Sequence, residues 1–186
     1  ADDSVNGRER IVVAAADEFS ERGYDGATMR GIAGRAGVDP ALLHHYFGTK
    51  ADLFGATVSA PMRPDLALPK ILAGPRDEVG ASIVRYLLTA LDDPTTRKRA
   101  VMLVRAGVGN KLTSPLFASV LHREVLKNLA ATMDGPDAEV RASLVASHIA
   151  GLIVGRYILQ LPGLATAEVD ELVARVGPVL QSHLTA

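Results

Sequence analysis

Residues 40–50, PALLHHYFGTK, bring His44, His45, Tyr46 and Lys50 together beside small and apolar residues. An imidazole can donate to or accept from a base edge, while an ammonium or a phenol can donate to a phosphate oxygen, so the group suits contact with a nucleic acid. The same histidines do not suit a metal ion. His44, His45, His122, His148 and His183 have no second histidine or carboxylate at metal-ligand spacing, and Glu124 stands two residues from His122, on another side of any helix. The sequence holds no nucleophile elbow, phosphate-cradling glycine loop or dinucleotide fingerprint. An enzyme, a metal centre and a bound cofactor are therefore not expected.

The flanking residues predict how that group is positioned. Thr28 stands before a helical stretch, Met29 to Ala36, where its hydroxyl can accept from an orphan backbone N–H, and Ile32, Ala33 and Ala36 give that helix an inward edge. Gly37 ends it, because glycine enters the left-handed region without steric cost. Asp39-Pro40 then reads as an N-cap carboxylate followed by proline at the first helical position. On the second helix, Pro40 to Phe47, the i, i+4 pair Leu43 and Phe47 turns inward and leaves Ala41, Leu42, His44 and His45 facing outward. Two short helices around a glycine turn make a helix-turn-helix, a unit that fits a DNA groove. Asn6 is placed to cap a first helix, with Ile11, Ala15 and Phe19 recurring every four residues and Gly23 at its end, which braces the pair. Gly48 or Thr49 opens a fourth helix running to about Ser59.

This stretch resembles the DNA-binding end of the TetR family of bacterial repressors. The resemblance is carried by Phe19, Gly23, Thr28, Ile32, Ala33, Ala36-Gly37-Val38, Leu43, His45-Tyr46-Phe47, Lys50 and Leu53-Phe54. It implies that Thr28, Tyr46 and Lys50 hold phosphates while the outward positions of the recognition helix meet base edges. The chain departs from the commonest family wording where Leu42 replaces a small or hydroxyl residue and His44 replaces a tyrosine. Base preference is therefore not transferable. Leu42 offers apolar contact, for instance to a thymine methyl, and each histidine either contacts DNA or is simply solvated or packed.

Charge alone does not suggest DNA. The chain has 20 basic and 21 acidic residues, and residues 1–58 hold 6 basic against 9 acidic. Placement must supply what composition lacks: Asp17, Glu18 and Glu21 are expected to face away from DNA, with Arg30, Lys50 and Arg8 gathered on the docking side. The absence of cysteine fits a reducing cytoplasm, and the polar start ADDSVNGRER reads as neither signal peptide nor anchor. The longest apolar run, Ala142 to Leu161, is interrupted by His148 and Arg156 and reads as a buried helix, not a membrane span.

Beyond Ser59, Pro61, Pro64, Pro69 and Pro75 punctuate a connection with a short helical piece around Leu66 to Ala73. Helical pattern then covers about Asp77–Leu91, Thr95–Gly107, Pro115–Met133, Asp137–Leu161 and Glu168 to the end, with no period-2 strand signal. The expectation is an all-α chain of about nine helices, with a helix-turn-helix domain at 1–58 and an effector-binding and dimerisation domain at 59–186. The helix at 137–161 carries more apolar surface than one stripe, from Val140 and Leu144 to Tyr157 and Ile158, so a second face needs a partner. A homodimer through residues 137–161 and 168–186 answers this. Ser147, Gly151 and Gly155 would allow a close helix approach, either to a second copy or within one subunit, and Val169, Leu172, Val173, Val176 and Leu180 would supply the matching stripe. In the family these two helices form a four-helix dimer interface. Two recognition helices about one DNA turn apart, about 34 Å or slightly more, imply a palindromic operator.

The wording GLIVGRYILQLPGLA in the segment from Ser114 onward is also similar to the ligand-binding half of actinobacterial-type members of that family. The resemblance implies a cavity in which a small-molecule effector lowers operator affinity. Candidate lining residues are Met102, Arg105, Phe117, Leu121, His148 and Tyr157, which pair apolar bulk with polar groups. Five of the eight aromatic residues lie in the first 58 positions, so the expected ligand is aliphatic and moderately polar rather than a flat cation. The expected function is a dimeric, effector-released repressor; the alternative is a ligand-binding or adaptor protein that has lost DNA contact.

Overall fold

The computed structural model describes residues 2–59, 64–109 and 113–185, and the described chain is helical without a strand. The long α1, Asp2–Gly26, contains Gly23 at φ 69° and ψ 173°, so the chain does turn at the expected glycine and then regains a last helical turn. Asn6 lies inside α1 and does not cap it. Next come α2 (Met29–Ala36), α3 (Pro40–Phe47) and α4 (Lys50–Ser59). The short helix α5, Pro64–Leu72, and a 3-10 turn, Arg76–Glu78, lead to α6 (Val79–Ala90) and α7 (Pro94–Gly109). Then α8 (Thr113–Leu121), a π turn at His122–Leu126 and α9 (Lys127–Ala130) form one run. The last elements are α10 (Ala138–Ile153) with a π turn at Val154–Ile158, the single turn α11 (Pro162–Ala165) and α12 (Val169–Leu184). The expected helix spans hold to within a few residues. The count among the described residues rises above nine in part because the π turn at His122–Leu126 divides one expected helix and α11 adds a turn.

Two cores form. In the first, Ile11, Ala15 and Phe19 of α1 meet Ile32, Leu43, Phe47, Leu53 and Phe54. Phe19 and Phe54 pack edge to face at 5.1 Å, and Tyr24 meets Phe54 at 5.3 Å. Burying rings of this size contributes on the order of 2–3 kcal/mol each, with about 1 kcal/mol more from the edge-to-face geometry. Leu116 and Phe117 of α8 pack against this core, and α1 touches α7, so the small unit is seated on the larger one.

The second core joins Val84, Leu88 and Leu91 of α6 and its C-cap to Val145 and Leu152 of α10 and to Leu172 and Leu180 of α12. Its tightest point is where α6 crosses α12. A methyl added at Gly80 would stand 2.4 Å from the carbonyl oxygen of Gly177, and one added at Gly177 would stand 2.9 Å from Ala81 Cα, so both glycines are required by backbone contact. Gln181 locks the crossing: its Oε1 accepts from Gly80 N–H at 2.8 Å and its Nε2 donates to the Arg76 carbonyl at 2.9 Å. Buried Arg141 ties the start of α10 to Asp137 Oδ1 at 3.1 Å and to the His183 carbonyl at 3.2 Å.

The small-residue stripe at Ser147, Gly151 and Gly155 divides. Gly155 is filled from within the subunit, since a methyl there would strike Leu164 at 2.7 Å, while Gly151 meets nothing within 4 Å. Leu172, Val173 and Leu180 turn into their own subunit's core instead of presenting a stripe outward. What α10 and α12 leave uncovered is Val140, 61% exposed, with Leu144 and Val179. Ala138–Ile158 is long and apolar enough by composition to cross a membrane, and only 33% of that apolar window is buried in the single chain. It packs on the core along one side and is open along the other, so it is less covered than the sequence suggests.

Gly80→Ala is expected to destabilise the chain by about 3 kcal/mol, because backbone and not a flexible side chain must move. Gly34→Ala, where a methyl within α2 meets nothing within 4 Å, is expected to gain up to about 1 kcal/mol from helix propensity. Urea unfolding of both variants checks the pair; equal midpoints would mean that the crossing of α6 and α12 is looser than described.

Candidate nucleic-acid interface

Local capping builds the interface. Thr28 Oγ1 accepts from Gly31 N–H at 3.0 Å and starts α2. Gly37, at φ 65° and ψ 39°, ends it, and Val38 N–H reaches back to the Ala33 carbonyl at 3.1 Å. Asp39 Oδ1 accepts from Ala41 N–H at 2.7 Å with Pro40 in the first turn, so α3 starts where the sequence placed it. Leu43 and Phe47 are buried, while Ala41, His44 and His45 are exposed and Leu42 is half-buried. The outward face expected of the recognition helix is therefore present.

The imidazole of His44 has a defined orientation. Its Nδ1 lies 2.9 Å from the Gly48 carbonyl, and since a carbonyl only accepts, Nδ1 is the donor. In the neutral ring this leaves Nε2 as an acceptor, able to accept a hydrogen bond from the exocyclic amine of cytosine or adenine. His45 packs edge-on to Tyr46 with ring centroids 5.5 Å apart. Thr49 and Asp52 cap α4 reciprocally: Asp52 N–H donates to Thr49 Oγ1 at 3.1 Å, and the Thr49 hydroxyl donates back to Asp52 Oδ2 at 2.5 Å. Those hydrogen bonds from Thr49 hold the Asp52 carboxyl below its ordinary range.

The basic residues are used unevenly. Arg35 donates to Glu21 at 3.0 Å and 2.5 Å and to Glu18 at 3.1 Å, and Arg22 approaches Glu18 at 3.1 Å. Glu18 thus points inward, only 3% exposed, instead of away from DNA into solvent. Its carboxylate needs the space left by Gly31, where a methyl would stand 2.8 Å from Glu18 Oε1. The Arg35 hydrogen bond, the largest influence, keeps Glu21 below the ordinary glutamate range, helped by the charges of Arg35 and Lys98. Arg8 lies over the Phe47 ring at 5.1 Å, which sets a cation beside the end of α3, and Arg30 is exposed on α2.

Lys50 is committed more deeply than the sequence suggested. Its ammonium donates to the Tyr24 carbonyl at 2.7 Å and the Ala27 carbonyl at 3.1 Å, and stands 4.4 Å from the centre of the Tyr24 ring. An ammonium has three N–H donors, so one remains for a phosphate. The residue therefore closes the end of α1 onto the start of α4 as well as carrying charge, a role that no local sequence signal announces.

The six residues expected to line a cavity do not converge. Phe117 packs against the core of the small unit. Met102 and Leu121 are half-buried and Arg105 is exposed. His148 donates through Nδ1 to the Leu144 carbonyl at 2.8 Å and sits 5.2 Å from the His183 ring, between α10 and α12. Tyr157 alone of the six lines a cavity of about 450 Å³, with Asp92, Arg97, Arg156, Gln160 and Ala165. Sequence reasoning missed those five because they come from a loop, two helix ends and a single turn. Among the described residues no cluster of three or more His, Asp or Glu side chains could hold a metal.

Comparison with known proteins matches residues 11–57 to the family described as bacterial regulatory proteins, tetR family, and residues 77–184 to the tetracyclin repressor-like C-terminal domain. The HTH-type transcriptional regulator BetI of Rhizobium meliloti (strain 1021) is 32% identical over 96% of this chain and 90% of its own. BetI of Agrobacterium fabrum is 30% identical over 81% of this chain and 75% of its own. Among solved structures, a TetR-family regulator from Streptomyces coelicolor A3 is 32% identical with a TM-score of 0.76, covering 98% of this chain and 96% of that one. The fatty acid degradation regulator FadR from Bacillus halodurans, 18% identical with a TM-score of 0.67, shares the fold.

Lys50→Met is expected to lower stability by about 1–2 kcal/mol, since two partly buried carbonyls lose a charged donor, and to weaken binding to every DNA sequence while reducing the salt slope by about one. Thermal unfolding together with DNA titration at several salt concentrations checks both. Lost affinity with unchanged stability would mean that the contacts to Tyr24 and Ala27 do not hold the helices together.

Proposed function

The chain belongs to the TetR family and is a helix-turn-helix transcriptional regulator, and from that premise we propose that it is a dimeric repressor acting in the cytoplasm, released from a palindromic operator by a small-molecule effector. Residues 1–58 serve as the DNA-reading unit and residues 59–186 as the effector-binding and dimerisation unit. Two separate hydrophobic cores support that division.

The observation that carries the reading is the capped, outward-facing α3. Ala41, Leu42, His44 and His45 present base-reading groups, with His44 offering Nε2 as an acceptor because Nδ1 is held by Gly48. Thr28, Arg30, Tyr46 and Lys50 surround that face and supply phosphate contacts, with Arg8 beside Phe47. The unit is acidic in total, yet Glu18 and Glu21 are consumed by Arg22 and Arg35. Few cations remain for phosphates, so non-specific affinity is modest and base contacts matter more.

Dimerisation through 137–161 and 168–186 follows from the uncovered apolar side of α10 and α12, where Val140, Leu144 and Val179 are exposed. A second copy related by a two-fold axis would cover the same patch on both chains and set two α3 helices on successive turns of one DNA face. Effector release needs only a ligand that prefers the chain's conformation off DNA.

Selection of bound sequences from random duplex DNA at two salt concentrations tests the proposal. The expected pool is an inverted repeat, and His44→Ala is expected to change the base chosen within each half-site at a cost of about 1–3 kcal/mol for the preferred base. No enrichment at either salt would favour the adaptor reading.

A further inference from the structure

The cavity at Asp92, Arg97, Arg156, Tyr157, Gln160 and Ala165 is built from strained and unusual backbone. Arg156 and Tyr157 belong to the π turn Val154–Ile158, closed by Leu159 N–H on the Val154 carbonyl at 2.8 Å. Gln160, two residues beyond that turn, has φ 52°, and it is the sole non-glycine residue with positive φ among those described. A non-glycine residue at positive φ is disfavoured and persists where packing or function holds it in place. Here it turns consecutive side chains toward one volume.

Two of the three charged groups lining that volume are cationic. Arg97, at the start of α7, has its guanidinium carbon 5.9 Å from the centre of the Tyr157 ring, and Arg156 has its own at 5.6 Å. Arg156 donates through Nη1 to the Leu164 carbonyl and to the Ala167 carbonyl, the latter at 2.8 Å, which anchors α11. Its Nε is buried and lacks a hydrogen-bond partner. A buried unpaired donor costs stability, so this segment, like the backbone of Gln160, is held by its surroundings against a local cost. Asp92 is the single carboxylate among the lining residues, so the wall carries a net charge of plus one, that is, two arginines less one aspartate.

We propose that this cavity binds the carboxylate of a small organic acid, with Arg97 presenting the guanidinium fork and Arg156, Tyr157 and Gln160 framing the bound group. A monoanion matches the net charge of the wall, whereas a phosphate dianion would overcompensate it beside Asp92. A bidentate guanidinium–carboxylate pair supplies both orientation and charge-assisted hydrogen bonds. The cavity volume lies within the usual range for small-ligand sites. The proposal rests on the effector-released reading above and names the effector's chemical class.

The same arginine is placed to pass on the binding event. Arg97 stands in the first turn of α7. The helix α7 also touches both α1 and the π turn. A ligand held by Arg97 would therefore bear on the helix against which α1 rests, and through it on the seat of the DNA-reading unit.

The test uses the full chain in calorimetric titrations at fixed ionic strength, with butyrate, succinate, benzoate, benzamide, tetramethylammonium and inorganic phosphate as probes. At least one carboxylate is expected to bind about tenfold or more tighter than benzamide and tetramethylammonium, with Arg97→Met removing that preference. Arg175→Met, which alters an exposed intrahelical pair on α12, is expected to leave it unchanged. Equal binding of carboxylates and amide, preferential binding of phosphate, or undiminished carboxylate binding by Arg97→Met would overturn the assignment. Operator release is read in parallel on the same samples. Carboxylate binding without release would count against the effector reading alone, and release by an uncharged or cationic probe without carboxylate binding would count against this site alone.

Discussion

The close crossing of α6 and α12 is the constraint on which the larger unit depends. Two glycines, Gly80 and Gly177, let the backbones touch, and Gln181 fastens the contact with hydrogen bonds from both ends of its amide. Because α12 spends Leu172, Val173 and Leu180 on the core, and Val176 packs against it as well, its outer side is left with Val179, and α10 beside it leaves Val140 and Leu144 uncovered. In the proposed dimer a second copy related by a two-fold axis would cover this patch on both chains.

The DNA-reading unit solves a different problem, that of approaching a polyanion with more acids than bases. It does so by pairing. Glu18 is buried against Gly31 and shared between Arg22 and Arg35, and Glu21 is held by Arg35 as well, so two of the acids of α1 are neutralised locally. The same pairs lash α1 to α2, which fixes the angle between the bracing helix and the helix-turn-helix. Lys50 repeats this economy on the other side, holding the end of α1 with two of its donors and keeping the third. On the proposed reading, Lys50 would couple stability to DNA contact through one side chain.

The helix-turn-helix was legible from sequence because its signals are local. Thr28, Gly37 and Asp39-Pro40 act on backbone groups within a few residues, and each caps or ends the helix expected of it. The all-α class and most helix spans were legible for the same reason. What was not legible depends on distant partners. Gly80 and Gly177 look unremarkable in sequence, whereas Gly151, which seemed suited to close packing, meets nothing within the subunit. Glu18 reads as a surface acid until α2 is placed over it. The cavity escaped because apolar bulk was sought on middle helices, while its walls come from the end of one helix, the start of another and a strained turn at Gln160.

Sedimentation equilibrium of the full chain, alone and with its selected operator, tests the central claim most directly. The account requires twice the chain mass in the free protein, and a protein content of whole dimers on the DNA. A chain that remains monomeric in solution and occupies a single half-site would contradict it.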